Sequence, residues 1–358
     1  MARRTAAVGV VALLIASLFA VLVLSRMSWD VTVFTAFGEE STEVNDYAEE
    51  RIGQVFLRAS QGHDGKFFFI QANDPWVLEP ELNAAFLDRP LYRSQRMLYP
   101  VLAGGGGLFT PEMIVWALIV VNILAMGVGS WAVAGLATTL GGSQWWGLSF
   151  VLNLGLISEM NIDGAGVLAA AAAFAAILAF YRNRTSWGFS LLVVAVLARE
   201  AMLLVAAGVG IWMWMHRRNK HALMSFAIPV TAVGAWAIYL RTRIGWETEG
   251  SEIQEIGIPF VGFVRSISEW LGDPFDFLVA GAVLLILVVF ARRAIASREL
   301  LGYAFVGFAA LGIVFTKQVW QSYFDITRAI APAVTAFVVL AFAHDHRKDA
   351  KSANEVAM

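Results

Sequence analysis

Apolar residues fall in long blocks along this chain, and most polar residues are confined to the intervals between them. The first block runs from about Ala6 to Leu24 behind Arg3 and Arg4. At about 1.5 Å per residue it is long enough to cross about 30 Å of hydrocarbon. It is long for the apolar part of a secretory signal and lacks a clear small-x-small cleavage pattern, which favours an uncleaved anchor. Further blocks at about 112–138, 144–158, 162–181, 187–198, 200–215, 222–241, 275–291, 300–316 and 329–343 predict helices. Several fall short of about 20 residues, so some spans are tilted, broken or half-buried. The pattern predicts an all-α polytopic membrane protein, a single integral membrane domain over 1–358 with about ten transmembrane helices.

The first outer loop, about 26–111, follows the first block, contains the longest polar interval, Gly62 to Pro100, and carries Asp30, Glu39, Glu40, Glu43, Asp46, Glu49 and Glu50. Within it, Val44 to Ala59 places Val44, Tyr47, Ile52, Val55 and Phe56 at roughly helical spacing, predicting a short amphipathic helix along the membrane face. Met97 to Leu108 is apolar but too short to span and is broken by Gly104 to Gly107, which predicts an interfacial helix. Basic residues stay cytoplasmic. Arg3 and Arg4, Arg182 and Arg184, the run His216 to Lys220, Arg292, Arg293 and Arg298, and a tail of about 344–358 all fall on one side if both termini are cytoplasmic. Asp74 and Ser251 are then outside and Asn219 inside.

Composition supports the pattern: 58% of residues are hydrophobic, 15% are charged, and mean hydropathy is +0.66. A soluble chain of this length carries more charge. The formal net charge of −2 offers no basic face for nucleic acid. With no cysteine there are no disulfides or thiolate metal sites, and the scattered histidines form no metal-ligand spacing. Gly104 to Gly107 lacks the Lys and Ser/Thr of a phosphate-binding loop, so nucleotide-powered chemistry is not indicated.

The same topology puts Asp64, Arg93, Arg96, Glu159, Asp163, Arg199, Glu200, Lys317, Asp325 and Arg328 on the outer side, at or near span ends. An ionised residue at a helix centre costs about 2.5–3.5 kcal/mol on insertion scales. A one-sided set of charges is what an active site open to the outer leaflet needs. Asp64, in His63-Asp64-Gly65-Lys66 before Phe67 to Phe69, reads either as a partly desolvated general base or as an ordinary turn residue. Arg93 and Arg96, three apart beside Tyr92 and Tyr99, read as a phosphate grip on one helical face or as side chains reaching for lipid headgroups. Lys317 and Arg328 frame Trp320, Tyr323 and Phe324, an arrangement that an interfacial belt explains. Asp163 opens an alanine-rich helix, where capping suffices to explain it. Arg199-Glu200 marks a surface turn or a cavity.

With these residues in place, the chain resembles the GT-C superfamily of membrane glycosyltransferases, most closely over residues 60 to 215. The resemblance rests on the long first outer loop with Asp64-Gly65-Lys66-Phe67-Phe68-Phe69, on Arg93-Ser94-Gln95-Arg96-Met97-Leu98-Tyr99-Pro100, on Asp163 and on Arg199-Glu200. It implies transfer of a sugar from a polyprenyl-phosphate donor to an envelope glycan, lipid or protein acceptor on the outer face of the membrane. By position it implies Asp64 as the base, with Asp46 as the other candidate. Arg93, Arg96, Arg199 and Lys317 would hold the donor phosphate, with Asp163, Glu200 and Arg328 in support. No cofactor beyond the donor is implied; the partners are membrane lipid, donor and acceptor. The chain departs from many relatives in carrying neither a large C-terminal soluble domain nor a doubled acidic motif at the loop start. A transporter or lipid flippase, and a non-catalytic membrane subunit of an envelope-synthesis complex, are the rival functions.

Overall fold

Helices form where the apolar blocks predict them, but their unequal lengths shape the molecule. The computed structural model describes residues 2–245 and 256–343. Ser251 and the tail of about 344–358 lie outside the described residues. The chain opens with α1 (Ala2–Arg26). The outer interval then folds into α2 (Thr32–Thr35), α3 (Thr42–Ile52), α4 (Gly65–Asn73), α5 (Pro80–Phe86), α6 (Pro90–Ser94) and α7 (Leu98–Ala103). After it come α8 (Pro111–Thr139), α9 (Leu148–Val151), α10 (Leu154–Met160), α11 (Gly166–Tyr181), α12 (Thr185–Ala198), α13 (Leu203–Met215) and α14 (Asn219–Ile244). The last third holds α15 (Val261–Trp270), α16 (Pro274–Ser297), α17 (Leu300–Val314), α18 (Lys317–Trp320) and α19 (Tyr323–Ala343). A short parallel pairing of β1 (Phe37–Gly38) with β2 (Leu57–Arg58) ties the first loop to itself.

Among the described residues, five helices are long and apolar enough to cross a membrane: α1, α8, α14, α16 and α19. Four more, containing α11, α12, α13 and α17, are apolar but shorter. The protein is nearly all helical and built to be embedded in a membrane. The block at 144–158 is not one span. It breaks into a 3-10 turn at Gln144–Gly147, then α9, then α10. Asn153 causes the second break: its carboxamide oxygen caps α10 at Gly155 N, and its amide donates to Ala331 O of α19.

Two other expected elements are also shorter. The amphipathic helix ends at Ile52, because Gly53 takes φ 78° and turns the chain toward β2. α7 covers only Leu98–Ala103 and packs one side into the protein. Tyr99 is fully buried, and its hydroxyl donates to Leu118 O and accepts from Asn122 Nδ2 of α8.

The short helices leave one end of the bundle to be closed by the first loop. At about 1.5 Å per residue, the 16 residues of α11 and 14 of α12 reach about 24 and 21 Å, short of about 30 Å of hydrocarbon. One end of this group is a set of tight basic turns after α11, α13 and α16. These are tied together where Trp212 Nε1 donates to Arg298 O (2.9 Å) and Tyr181 Oη to Glu299 Oε2 (2.8 Å). The opposite end is broken. There Arg199 leaves α12 extended (φ −156°, ψ 121°) and α10 turns into α11. The first loop fills that end with a second core of Phe37, Tyr47, Phe67 to Ile70 and Tyr99. This core covers the irregular backbone at that end.

Candidate functional site

Asp64 stands at the start of α4. Its backbone carbonyl accepts from Phe67 N and Phe68 N, but its side chain makes no capping bond. The carboxylate turns to three arginines instead. Oδ1 accepts from Arg93 Nη1 at 2.6 Å, Oδ2 accepts from Arg328 Nη2 at 3.1 Å, and Arg96 Nη1 lies 3.7 Å from Oδ2. A turn residue alone does not explain this arrangement. The arginines are fixed in their own right. Arg93 forks onto Asp88 at 2.8 and 2.9 Å and lies over the Phe67 ring. Arg96 forks onto Glu200 at 3.2 and 3.1 Å and donates to Tyr92 Oη. They do not share a helical face, because α6 ends at Ser94 and Arg96 follows it.

A second carboxylate, Glu159 at the end of α10, is 2% exposed. It accepts from Arg199 Nη1 at 2.8 Å, Arg328 Nε at 3.2 Å and the backbone N of Gly166 at 3.2 Å. The backbone approaches closely here: a Cβ on Gly166 would lie 2.6 Å from Glu159 Cδ and 2.8 Å from Arg199 Nη1, so a side chain there would shift the pair. Arg328 is the link between halves of the cluster, since it touches Asp64, Glu159 and Asp325. One network thus joins the first loop, α10, the α12 break and α19.

The structure therefore brings together Asp64, Arg93, Arg96, Arg199, Glu200 and Arg328. Lys317 is not among them: it pairs with Glu269 at 2.6 Å on the surface, with both side chains about half exposed. Asp46 is exposed on α3 and makes no ion pair with the cluster among the described residues. Asp163 is fully buried but does not cap α11. Neither of its carboxylate oxygens has a hydrogen-bond partner among the described residues, and Arg58 is its electrostatic partner. The aromatic residues near Arg328 are not a surface belt. Trp320 is 1% exposed with its indole N–H on Gly312 O, and Phe324 lies under Arg328 and against His63. In the sequence Glu159 is marked only as one of the outer-side charges, without a role, and Asp88 is not marked at all. Glu159 had only its position at the end of an apolar block to mark it, and Asp88 nothing beyond proximity to Arg93.

Burial works against ionisation of Asp64, but Arg93, Arg328 and Arg96 outweigh it and hold the carboxyl well below the usual carboxylate range. Burial likewise opposes the charge on Arg93, while its bonds to Asp88 and the Asp64 carboxylate keep it above its ordinary value. Burial, then Arg328, pushes His63 down to about 4. The unfolded chain binds the His63 proton below about pH 6.5, while the folded protein refuses it until about pH 4. Stability is therefore unaffected by His63 above pH 6.5 and falls as pH drops through that window. Thermal melts in nanodiscs should show a loss of about 1 kcal/mol between pH 7 and 5 in the wild type. His63→Asn should lack that slope; an identical slope in both contradicts the assignment.

Chemically the cluster is a balanced set of guanidinium and carboxylate groups. The N–H groups of Arg93, Arg96 and Arg328 face carboxylates. Arg199, with 20% side-chain exposure, gives Nη1 to Glu159 and makes no other side-chain hydrogen bond among the described residues. Arg199 is the most exposed of the four arginines, and the other three are held by carboxylates. Among the described residues, no three His, Cys, Asp or Glu side chains group to hold a metal ion. Compared with protein families, curated proteins and solved structures, the chain shows no match.

Proposed function

We propose that this protein is a membrane glycosyltransferase that moves a sugar from a polyprenyl-phosphate donor to an acceptor hydroxyl on the outer face of the membrane. The observation that carries the reading is the convergence of Asp64, Arg93, Arg96, Arg199 and Arg328 from separate stretches into one cluster. That cluster lies at the end of the short helices opposite the basic turns. With the basic turns cytoplasmic, the cluster's end of the bundle faces outward, where a lipid phosphate rather than a nucleotide carries an activated sugar. Exposed apolar faces such as those of α14 and α16 offer surface for a prenyl chain.

In this reading the donor phosphate docks on Arg199 and draws Arg96 and Arg328 away from Asp64. Losing its cationic neighbours, Asp64 regains proton affinity, which suits it to receive the acceptor proton as the reaction proceeds. The acceptor oxygen attacks the anomeric carbon, and its proton passes to Asp64. The bond from the anomeric carbon to the phosphate oxygen breaks, and polyprenyl phosphate leaves with the electron pair under arginine stabilisation. Asp64 fits the role of base better than Asp46, which is exposed on α3. A transporter would need its charges near the midplane with access from both sides; a cluster at one end of the bundle speaks against that reading.

Envelope glycans of a deletion strain test the proposal. A glycan modification should vanish on deletion and return with the wild-type chain. Arg199→Lys should restore about a tenth of it or less, because a point charge does not reproduce the guanidinium fork. Unchanged glycans in the deletion strain contradict the function.

A further inference from the structure

Between the membrane-crossing helices α14 and α16, at the end of the bundle opposite the basic turns, lies α15. Its ten residues sort into three faces at helical spacing. The first packs into the protein through Gly262, Phe263, Ser266 and Trp270. Trp270 Nε1 donates to Trp320 O at 2.9 Å, Ser266 Oγ lies 3.3 Å from Lys317 O, and the Phe263 ring stands 5.1 Å from those of both Trp270 and Trp320. The second face is polar, with Arg265, Ser268 and Glu269, the last paired with Lys317. The third is apolar and uncovered. Val264 is 60% exposed and Leu271, at the C-terminal end, 77%; Ile267 lies beside them, and Phe260, one turn earlier, is 53% exposed.

A bare apolar stripe beside a polar one marks an interaction surface, and its place in the chain identifies the partner as lipid. Leu271 stands three residues before Pro274, the first residue of α16, so this end of α15 stays at the level where a crossing helix enters the bilayer. The exposed apolar side chains also continue from Leu271 into the first turns of α16, through Phe275 and Leu278. The stripe does not belong to a loose segment. Gly257 N donates to Val314 O at 2.7 Å and Phe260 N to Ile313 O at 2.8 Å, which pins the approach to α15 on α17. Gly262 then rests against Phe315 O, where a Cβ would not fit. We propose that α15 lies in the interface of the outer leaflet, with Phe260, Val264, Ile267 and Leu271 among the acyl chains and Arg265 and Ser268 at the headgroups. Helices of this kind sink their apolar face about 5–10 Å into that boundary. The proposal is independent of the transferase reading. Its consequence for the fold is that the leaflet, through α15, sets the level of α18, which leads directly into α19 and Arg328.

The chain has no cysteine, so one introduced thiol carries one nitroxide label and nothing else is labelled. Val264→Cys, Leu271→Cys and Ser268→Cys are labelled in the full chain, in nanodiscs of phosphatidylcholine and phosphatidylglycerol. Leu285→Cys, on the exposed side of α16, gives the reference for the bilayer interior. Electron paramagnetic resonance then compares collisions with oxygen, which concentrates in lipid, and with a water-soluble nickel chelate. Labels at Val264 and Leu271 should favour oxygen and sit about 5–10 Å below the headgroup boundary, while the label at Ser268 should favour nickel. Nickel access at Val264 and Leu271 equal to that at Ser268 overturns the proposal by placing the stripe in water. Shielding of both from oxygen and nickel alike overturns it by showing a protein partner or a second copy there. The unlabelled double variant Val264→Asp/Leu271→Asp reads the same contact without a probe. Amide exchange over 261–271 in nanodiscs should quicken about tenfold or more, because charged side chains do not hold the helix in lipid. Exchange at the wild-type rate overturns the proposal.

Discussion

Asp64→Asn should lower sugar transfer by about 10²–10⁴-fold, the usual worth of a positioned base. It should also destabilise the protein, because it removes the charge that Arg93, Arg96 and Arg328 share. Breaking a fully buried pair costs about 3–5 kcal/mol. The Asp64 side chain is 23% exposed, so a loss of about 2–3 kcal/mol is expected. Asn suits a turn about as well as Asp, and a turn residue would lose neither activity nor stability. Asp64→Glu separates the two roles. It keeps the charge and should recover most of the melting temperature, but its carboxylate is displaced by one methylene and transfer should remain about 10²-fold low. If transfer recovers in step with stability, Asp64 only holds the arginines together.

The largest effect on stability is expected at Glu159. Glu159→Leu leaves Arg199 and Arg328 facing a 2% exposed position without their shared counter-ion, which should cost about 3–5 kcal/mol. Glu159→Gln keeps an acceptor for one arginine and for Gly166 N, so it should lose about half as much. Thermal melts in nanodiscs measure both. Lys317→Ala is the comparison: its pair with Glu269 is about half exposed and should contribute less than about 1 kcal/mol. Equal losses from Glu159→Leu and Lys317→Ala contradict the buried network.

Much of this arrangement was legible because it is local. Asp64 before Phe67 to Phe69, Arg93 close to Arg96, and a charged pair at Arg199-Glu200 inside an apolar stretch all mark polar groups set against apolar surroundings without any knowledge of contacts. Arg93 and Arg96 nonetheless meet at Asp64 rather than along one helical face. The basic turns likewise follow from charge distribution. What was not legible depends on pairing across the chain. Arg328 reaches Asp64 across 264 positions and Glu159 across 169, and nothing in either neighbourhood specifies the other. Lys317 has the same local signal as Arg328, a cation among aromatics, yet Glu269 holds it at the surface. The block at 144–158 has the hydropathy of a span, but Asn153 finds its partners on α19, and only the tertiary contact reveals the break.

The account is tested most directly by transfer in proteoliposomes holding the purified full chain, a polyprenyl-phosphate donor with a tritiated sugar, and membrane extract from the deletion strain as acceptor. It predicts time-dependent movement of label into the extract with matching release of polyprenyl phosphate, reduced at least about 10²-fold by Asp64→Asn. No transfer by the wild type, or equal transfer by the wild type and Asp64→Asn, would contradict it.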